Sequence, residues 1–504
     1  MTKDYDLFII GGGINGCGIA RDAAGRGYSV CLCEMNDLAS GTSSQSTKLI
    51  HGGLRYLEHY EFRLVREALT EREILWQLAP HIIHPLRFIL PYHQQLRPAW
   101  LLRLGLFLYD HLGGRKKLPA TTTLDLKQDK EGAPLNPQYS KGFEYSDCAV
   151  DDARLVVLNA LDASERGASI QTRSKCIDMQ RTEGHWLVTV EDQLTKEQSK
   201  IKAKALINAS GPWADRVLKK LSPDQQTQNI RLVQGSHIIV PKLYQHNKCY
   251  IFQNTDQRII FAIPYYEDFT LIGTTDQEYT GDPSKTKITQ EEIDYLCISA
   301  NHYFKNKISA EDVISTFSGV RSLYNDGASS KAQEATRDYV LRVDNDRENE
   351  AAMINVFGGK ITTYRRLAEA VMKKTTDLIG HKDTQQWTHT SPLPGGDFAI
   401  DDFKKLCQQL KNQYNFLSKK EVIYFIRQYG TRAKDVLGEA KSYQDLGEAF
   451  GHGLYQAEVL YLITKEWAIT ADDILWRRTK LGLYFNQKQQ QKLEKWLLSA
   501  KKNI

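Results

Sequence analysis

A chain of 504 residues is too long for one simple core and calls for two to three domains. Its composition, 41% hydrophobic and 25% charged, is that of an ordinary soluble globular protein. The net charge of +5 comes from 66 basic against 61 acidic residues, so a nucleic-acid partner is not expected; mild positive charge suits an anionic substrate or membrane surface.

The chain opens on YDLFIIGGGINGCGIARDAAGRGYSVCLCE (5–34). An apolar strand runs into glycines, a small-residue helix follows, and a second apolar strand ends at Glu34. This is a βαβ unit with a short crossover. Gly11-x-Gly13-x-x-Gly16, with Ile14 and Asn15 between the last two glycines, sits at the strand-to-helix junction. Gly11 allows the tight turn, Gly13 lets backbone approach a pyrophosphate, and Gly16 lets helix and strand pack closely. The helix N-terminus offers free N–H groups to a phosphate. Glu34 stands twenty-three residues after Gly11, where an acid binds ribose hydroxyls and disfavours a 2′-phosphate. NAD and FAD share this fingerprint.

The next stretch, TSSQSTKLIHGGLRYLE (42–58), crowds hydroxyl residues ahead of a glycine pair flanked by His51 and Arg55. A turn alone needs neither an imidazole nor a cation there. An amphipathic helix follows near 60–79, and Pro80, Pro85, Pro91 and Pro98 punctuate the segment after it. Within LRPAWLLRLGLFLYDHLGGRKKL (96–118) the apolar run WLLRLGLFLY (100–109) is interrupted by Arg103 and too short to span a bilayer. With Arg115, Lys116 and Lys117 at its end the whole segment suits an interfacial element, apolar side down and basic residues at the headgroups; a buried helix with a basic exit loop fits the pattern equally well.

Residues 151–167 predict a helix capped by Asp and closed by Gly. Short strand patterns follow at 185–190 and 204–210. ALINASGPWADRV (205–217) is a strand leading into small residues that let the chain pass close to a dinucleotide, with Ala209, Gly211 and Trp213 as candidate contacts. Residues 258–275 predict two strands around a polar turn. Helical patterns return at 290–305 and 360–379. In VFGGKITTYRRLAEA (356–370) a strand, Gly358–Gly359 and a helix start, with Lys360 and Thr362, suit either the pyrimidine edge of a flavin or a phosphate. SPLPGGDF (391–398) is a linker, and 400–504 is almost entirely helical in pattern. The eight cysteines show no CxxC pair and predict reduced core thiols, with Cys31 and Cys33 on one buried face. No HExxH or clustered Cys/His spacing supports a metal site, and no GxSxG elbow supports a serine hydrolase.

GGGINGCGIARDAAGRG, STKLIHGGLRYLE, GFEYSDCAVDDARL, NASGPW, IGTTD and FGGKITTYRRLAE, in this order and spacing, resemble the FAD-dependent glycerol-3-phosphate dehydrogenases of aerobic respiration. The resemblance continues through DLGEAFGHGLYQAEVLYL and DDILWRRTKLGL near the C-terminus. It implies a glycine-oxidase-like flavoprotein: a Rossmann-like α/β FAD-binding domain, an antiparallel β-sheet substrate domain and a C-terminal helical domain. The expected division is a two-lobed oxidoreductase region over 1–388 and a helical domain over 389–504. FAD-binding segments fall at about 1–70, 148–230 and 331–388, and substrate segments at about 71–147 and 231–330. By the same resemblance Thr42, Ser43, Ser46, Thr47 and Lys48 run beside FAD, and Gly52 and Gly53 let backbone approach the flavin.

The implied reaction oxidises sn-glycerol 3-phosphate to dihydroxyacetone phosphate by hydride transfer to flavin N5. Electrons then pass to ubiquinone or menaquinone at the cytoplasmic face of the inner membrane, which requires peripheral, monotopic membrane contact. Substrate contacts are implied at Arg55, Tyr56, Arg321, Arg337 and Lys360, since a phosphate dianion needs several cations. His51 and His237 are the candidate bases, and Arg321 is an alternative stabiliser of the alkoxide. Ser322 stands where the family often has Pro, leaving the loop that carries Arg321 without that restraint. A glycerol-3-phosphate oxidase using O2 shares nearly all these residues; a non-catalytic flavin-binding or sensor protein, or an FAD-dependent RNA modifier, is the reading from another class. Covering the active site, forming a homodimer and binding a regulator are the open roles of the C-terminal domain.

Overall fold

A computed structural model describes residues 3–114, 117–221, 228–254, 256, 258–325, 338–344, 350–380, 382–383 and 385–500. Arg115, Lys116 and Arg337 lie outside the described residues.

Strand β1 (Lys3–Ile10), helix α1 (Ile14–Gly25) and strand β2 (Val30–Cys33) form the opening unit. β1 is flanked by two parallel neighbours, pairing Ile10 with Cys33 of β2 on one side and with Asn208 of strand Gln198–Asn208 on the other. Ser169–Gln171 and Met353–Phe357 extend the parallel set outward, and Val340–Asp344 closes one edge antiparallel. A strand covered on both faces reads as a continuous apolar run, and β1 does, with Leu7, Phe8 and Ile9 all fully buried. Side chains alternate. Leu7 and Ile9 face α1 and the helices Asp152–Glu165 and Tyr364–Ile379. Phe8 and Ile10 face the antiparallel hairpin of Ser174–Thr182 and His185–Asp192. Cys31 and Cys33 share this second face, and all eight cysteines are free thiols.

Among the described residues the second sheet is antiparallel but for one pair. Ile230–Pro241 is its spine, pairing with Phe269–Gly273 on one side and along its length with Ser315–Tyr324 on the other. Arg321 is therefore on a strand, opposite Val233, and not on a loop. The ladder, not a proline, restrains its backbone, and Ser322 can contribute the ladder N–H that proline lacks. The prolines near 80–98 also do less than their spacing suggests: Pro85 and Pro91 sit inside strand Ile83–Tyr92. Its long partner, Lys141–Val150, is antiparallel, while the parallel neighbour Cys249–Gln253 meets it only at Phe88 and Ile89, away from both prolines.

Residues beyond the linker build a separate core from helices Phe403–Gln413, Lys419–Tyr429, Gln456–Glu466 and Gln487–Ala500. A short hairpin, Ala449–Gly451 with Leu454–Tyr455, interrupts the helical run expected there. Buried charge joins this domain to the first. Asp37 accepts from Arg478 Nη1 and Nη2, each at 2.8 Å, and from Arg477 Nε at 2.6 Å. Asp473 receives Arg173 at 2.7 Å and pairs with Arg477. Arg154 pairs with Glu466 and donates to the Gln428 carbonyl at 3.0 Å.

Removing one partner of a buried pair leaves an uncompensated charge and costs about 3–5 kcal/mol. Asp37→Ala should lower stability by about that amount in urea denaturation. A midpoint equal to wild type would show that the charges joining the two domains contribute nothing net.

Candidate functional site

The carboxyl ends of the parallel strands open onto a cavity of ≈ 960 Å³. Ile10–Gly11, Cys33–Glu34, Ala209–Ser210 and Gly358–Gly359 form its rim on the first sheet, the crevice in which open α/β sheets bind ligands. Gly11, at φ +114°, is required twice over: a Cβ there would stand 2.6 Å from the Ala209 carbonyl oxygen. On Gly16 a Cβ would lie 1.9 Å from the Gly11 oxygen, so this glycine serves helix–strand packing and does not line the cavity. Gly13 precedes α1 without a side-chain cap, and the Ile14 N–H donates to Ser43 Oγ at 3.0 Å. Asn15 donates to the Gly358 carbonyl at 3.1 Å, while its buried Oδ1 has no protein partner.

Glu34 accepts the N–H groups of Gly12 at 2.7 Å and Asn36 at 2.8 Å. Burial pushes its carboxyl upward against those two bonds. Each carboxylate oxygen retains a second lone pair for a ligand hydroxyl. Trp213 lines the cavity and abuts Gly41, where a Cβ would be 3.3 Å from the indole. The glycine cradle, the acid at the end of β2 and the unpartnered Asn15 oxygen fit a dinucleotide laid across the switch between strands.

The hydroxyl stretch after β2 is tied largely to protein. Thr42 Oγ1 donates to the Val320 carbonyl at 2.6 Å, and Ser46 Oγ donates to Asp152 at 2.8 Å. Thr47 Oγ1 lies 3.0 Å from His237 Nε2. Lys48 differs from the expected cofactor contact. Its ammonium is buried against both Asp152 oxygens at 3.0 Å, donates to the Ser44 carbonyl at 3.0 Å, and does not line the cavity. The glycine pair differs as well. A Cβ on Gly52 would strike Leu69 at 2.5 Å and the Tyr109 hydroxyl at 2.8 Å, so its requirement is core packing. Gly53 is left-handed at φ +71° and faces the Tyr56 ring. Neither lines the cavity.

His51, Tyr56, His237, Arg321 and Lys360 converge where the second sheet meets the cavity. Arg55, half-buried on the turn Leu54–His59, is not among the lining residues. His237 is 2% exposed and stacks on Phe317 with ring centroids 4.6 Å apart. Its Nδ1 has no protein partner. Burial, followed by the charges of Lys48 and Arg321, holds its pKa well below the ordinary imidazole value. His51 is also held low, first by burial, with Asp147 opposing and Lys360 and Arg72 reinforcing. Its backbone N–H meets Thr362 Oγ1 at 3.4 Å. Arg321 Nη2 donates to Asp276 at 3.0 Å and to the Thr275 carbonyl at 3.3 Å. Lys360 Nζ sits 4.1 Å from the Tyr56 ring centroid, a cation–π contact.

Three carboxylates escaped sequence reasoning. Asp276 adjoins Arg321. Asp147 accepts from the Tyr109 hydroxyl at 2.8 Å, and that oxygen in turn receives the Gly52 N–H at 2.7 Å beside His51. Asp152 holds the turn before His51. All three lie in segments quoted above, IGTTD and GFEYSDCAVDDARL, but nothing local reveals their distant partners.

Residues 6–348 match the FAD dependent oxidoreductase family, and 386–500 match the C-terminal domain of alpha-glycerophosphate oxidase. The chain is 51% identical over 495 residues to the D-erythritol 1-phosphate dehydrogenase of Brucella abortus (strain 2308), covering 98% of each chain. It is also 51% identical over 499 residues to a glycerol-3-phosphate dehydrogenase of Pseudomonas aeruginosa, covering 99% of this chain and 96% of that one. Among solved structures, the glycerol-3-phosphate dehydrogenase from Bacillus halodurans complexed with FAD superposes with TM-score 0.76 at 27% identity, over 99% of this chain and 94% of that one. The glycine oxidase from Geobacillus kaustophilus shares the fold, with TM-score 0.56 at 20% identity over 75% of this chain and 95% of that one. FAD is therefore the dinucleotide that the cavity is built for, and the chain belongs to the FAD-dependent oxidoreductases, within the glycerol-3-phosphate dehydrogenase family.

Proposed function

We propose that the protein oxidises sn-glycerol 3-phosphate at C2 to dihydroxyacetone phosphate and delivers the electrons to a membrane quinone. The observation that carries this reading is the convergence of two neutral imidazoles with Arg321 and Lys360 on one end of a dinucleotide cavity. Bound in that cavity, FAD supplies the hydride acceptor at N5. The chain's own residues bind the phosphate, orient C2 and take the hydroxyl proton. Arg321 offers a planar fork to phosphate oxygens, and Lys360 a mobile point charge. One imidazole, His51 or His237, accepts the proton as the C2–H bond breaks. A second substrate is favoured by a specific observation. The relative named for D-erythritol 1-phosphate is as similar as the one named for glycerol 3-phosphate. Both substrates present a terminal phosphate next to a secondary alcohol.

The electron acceptor requires a membrane face. Among the described residues no helix is long and apolar enough to cross a bilayer. Helix Ala99–Leu112 instead exposes Trp100, Leu104 and Phe107, at 69%, 46% and 56%, spaced to lie on one face. Exposed Arg103 lies on the same helix, and exposed Lys117 beyond its end pairs with Asp401. Such a stripe suits shallow insertion among anionic headgroups.

Anaerobic addition of either polyol phosphate should bleach the flavin absorbance near 450 nm, and a quinone analogue should restore it faster than oxygen does. Comparing kcat/KM for the two compounds decides the substrate, and fast reoxidation by oxygen alone would make the protein an oxidase. Charge-assisted hydrogen bonds contribute about 1.5–3 kcal/mol. Arg321→Met should therefore lower kcat/KM about 10- to 100-fold; an unchanged value would remove Arg321 from the substrate.

Both imidazoles are depressed, so each keeps its lone pair at pH values where a free histidine is protonated. The acid limb of kcat/KM should consequently lie below pH ~6.5, with a flat profile above it up to pH ~8. A midpoint above the ordinary imidazole value would exclude both as the base.

Flotation with anionic vesicles tests the membrane face. Trp100→Ser with Phe107→Ser should leave the protein in the unbound fraction while bleaching by substrate persists. Flotation equal to wild type would place the contact elsewhere.

A further inference from the structure

The geometry points to Asp152 as a positioning residue for His237, acting through the turn Ser46–Thr47–Lys48. This inference rests on the reading of His237 as a group at the reacting centre.

Asp152 is fully buried at the first position of the helix Asp152–Glu165 and does not reach the cavity. Its carboxylate nonetheless organises the cavity wall. Oδ2 accepts Ser46 Oγ at 2.8 Å and the Ser46 N–H at 3.2 Å. Both oxygens accept Lys48 Nζ at 3.0 Å, and Oδ1 also accepts the Ala153 N–H at 2.9 Å. Ser46 Oγ in turn receives the Lys48 N–H at 3.0 Å. Lys48 adopts a left-handed backbone, φ +61°, unusual for a side chain of its length. Such a conformation persists where surrounding bonds over-determine it; here Asp152 holds the ammonium together with the Ser44 carbonyl, and the Lys48 carbonyl accepts the Val150 N–H at 2.9 Å.

Thr47 is held between the two anchored residues, and its hydroxyl lies 3.0 Å from His237 Nε2. The same ion pair bears on His237 from below. Lys48 Nζ lies 4.7 Å from the centroid of the Phe317 ring on which His237 stacks. The charged groups that reach His237 are Lys48 from this turn and Arg321 from strand Ser315–Tyr324, the latter paired with Asp276. Asp152 balances the first of these as Asp276 balances the second. A carboxylate one shell away thus fixes both the direction of the Thr47 hydroxyl and the field at the imidazole. Lys480, buried in the C-terminal domain, feels Asp151 and Asp152 and is held at about 8 by burial, so that domain reaches the same carboxylate electrostatically.

The test uses the FAD-loaded protein, with flavin reduction by glycerol 3-phosphate and D-erythritol 1-phosphate as one readout. Ring-labelled histidine NMR is the other, with His237 assigned through His237→Gln. In Asp152→Asn the amide keeps the shape but leaves Lys48 unpaired. Reduction should slow about 10- to 100-fold with KM within about threefold, the pattern of lost orientation rather than lost binding. The His237 signal should move, and its protonation should shift to lower pH; adding Lys48→Met should return that titration toward wild type. Thr47→Val should move the same signal without touching the ion pair. If Asp152→Asn does not fold, Ser46→Ala, which cuts one anchor of the turn, should move the His237 signal and slow reduction while leaving its titration in place. A His237 signal and titration equal to wild type in the folded variant would overturn the inference. Failure of the wild type to bleach with either substrate would instead sink the functional reading, and the NMR comparison would still decide the role of Asp152.

Discussion

The close approach of two chain segments at Gly11 sets the rest of the structure. Strand β1 ends where Ala209 leaves the neighbouring parallel strand, and there is no room for a side chain between them. That contact draws α1 down onto the sheet with its N-terminus at the carboxyl ends of the strands. Glu34 on one side and the Gly358–Gly359 turn on the other line the cavity there. A dinucleotide cavity is the space left over. The second sheet closes it, placing the residues of Ile230–Pro241 and Ser315–Tyr324 across from the nucleotide side.

Local patterns made part of this legible. The glycine spacing, the acid after β2 and the apolar strands are consequences of short-range geometry, and a sequence displays short-range geometry directly. The strands at 185–190, 204–210 and 258–275 and the Asp-capped helix after 151 belong to the same class. Lys48 and Gly52 show where such reading stops. A lysine in a hydroxyl-rich segment beside a phosphate-binding motif looks like an anion ligand. Its partner Asp152 is more than a hundred residues away, and only the fold brings the two together. Gly52 has the look of a cofactor approach, yet what excludes its side chain is Leu69, from a helix packed behind it. Arg55 and Tyr56 are neighbours in sequence, but a 3-10 turn sends only Tyr56 into the cavity wall. The arginines and carboxylates that bind the C-terminal domain to the first, Asp37 with Arg477 and Arg478 above all, carry no local signature.

The two imidazoles share a design that connects electrostatics to chemistry. His237 is buried and His51 half-buried at the cavity wall, and each sits within reach of cations: Lys360 and Arg72 for His51, Lys48 and Arg321 for His237. Two of these cations, Lys360 and Arg321, line the cavity and are the ones a phosphate would meet. Desolvation first, and then the nearby cations, disfavours the imidazolium and holds both pKa values below the ordinary imidazole value. A dianion placed between Arg321 and Lys360 offsets the field of those cations. In the mechanism proposed above, the imidazole would then become more basic at the stage when it must accept a proton, and the charge that holds the substrate would also prepare its base. Asp152 pairs with Lys48, Asp147 with Arg72 and Asp276 with Arg321, so three of the four cations are answered by carboxylates from distant parts of the chain.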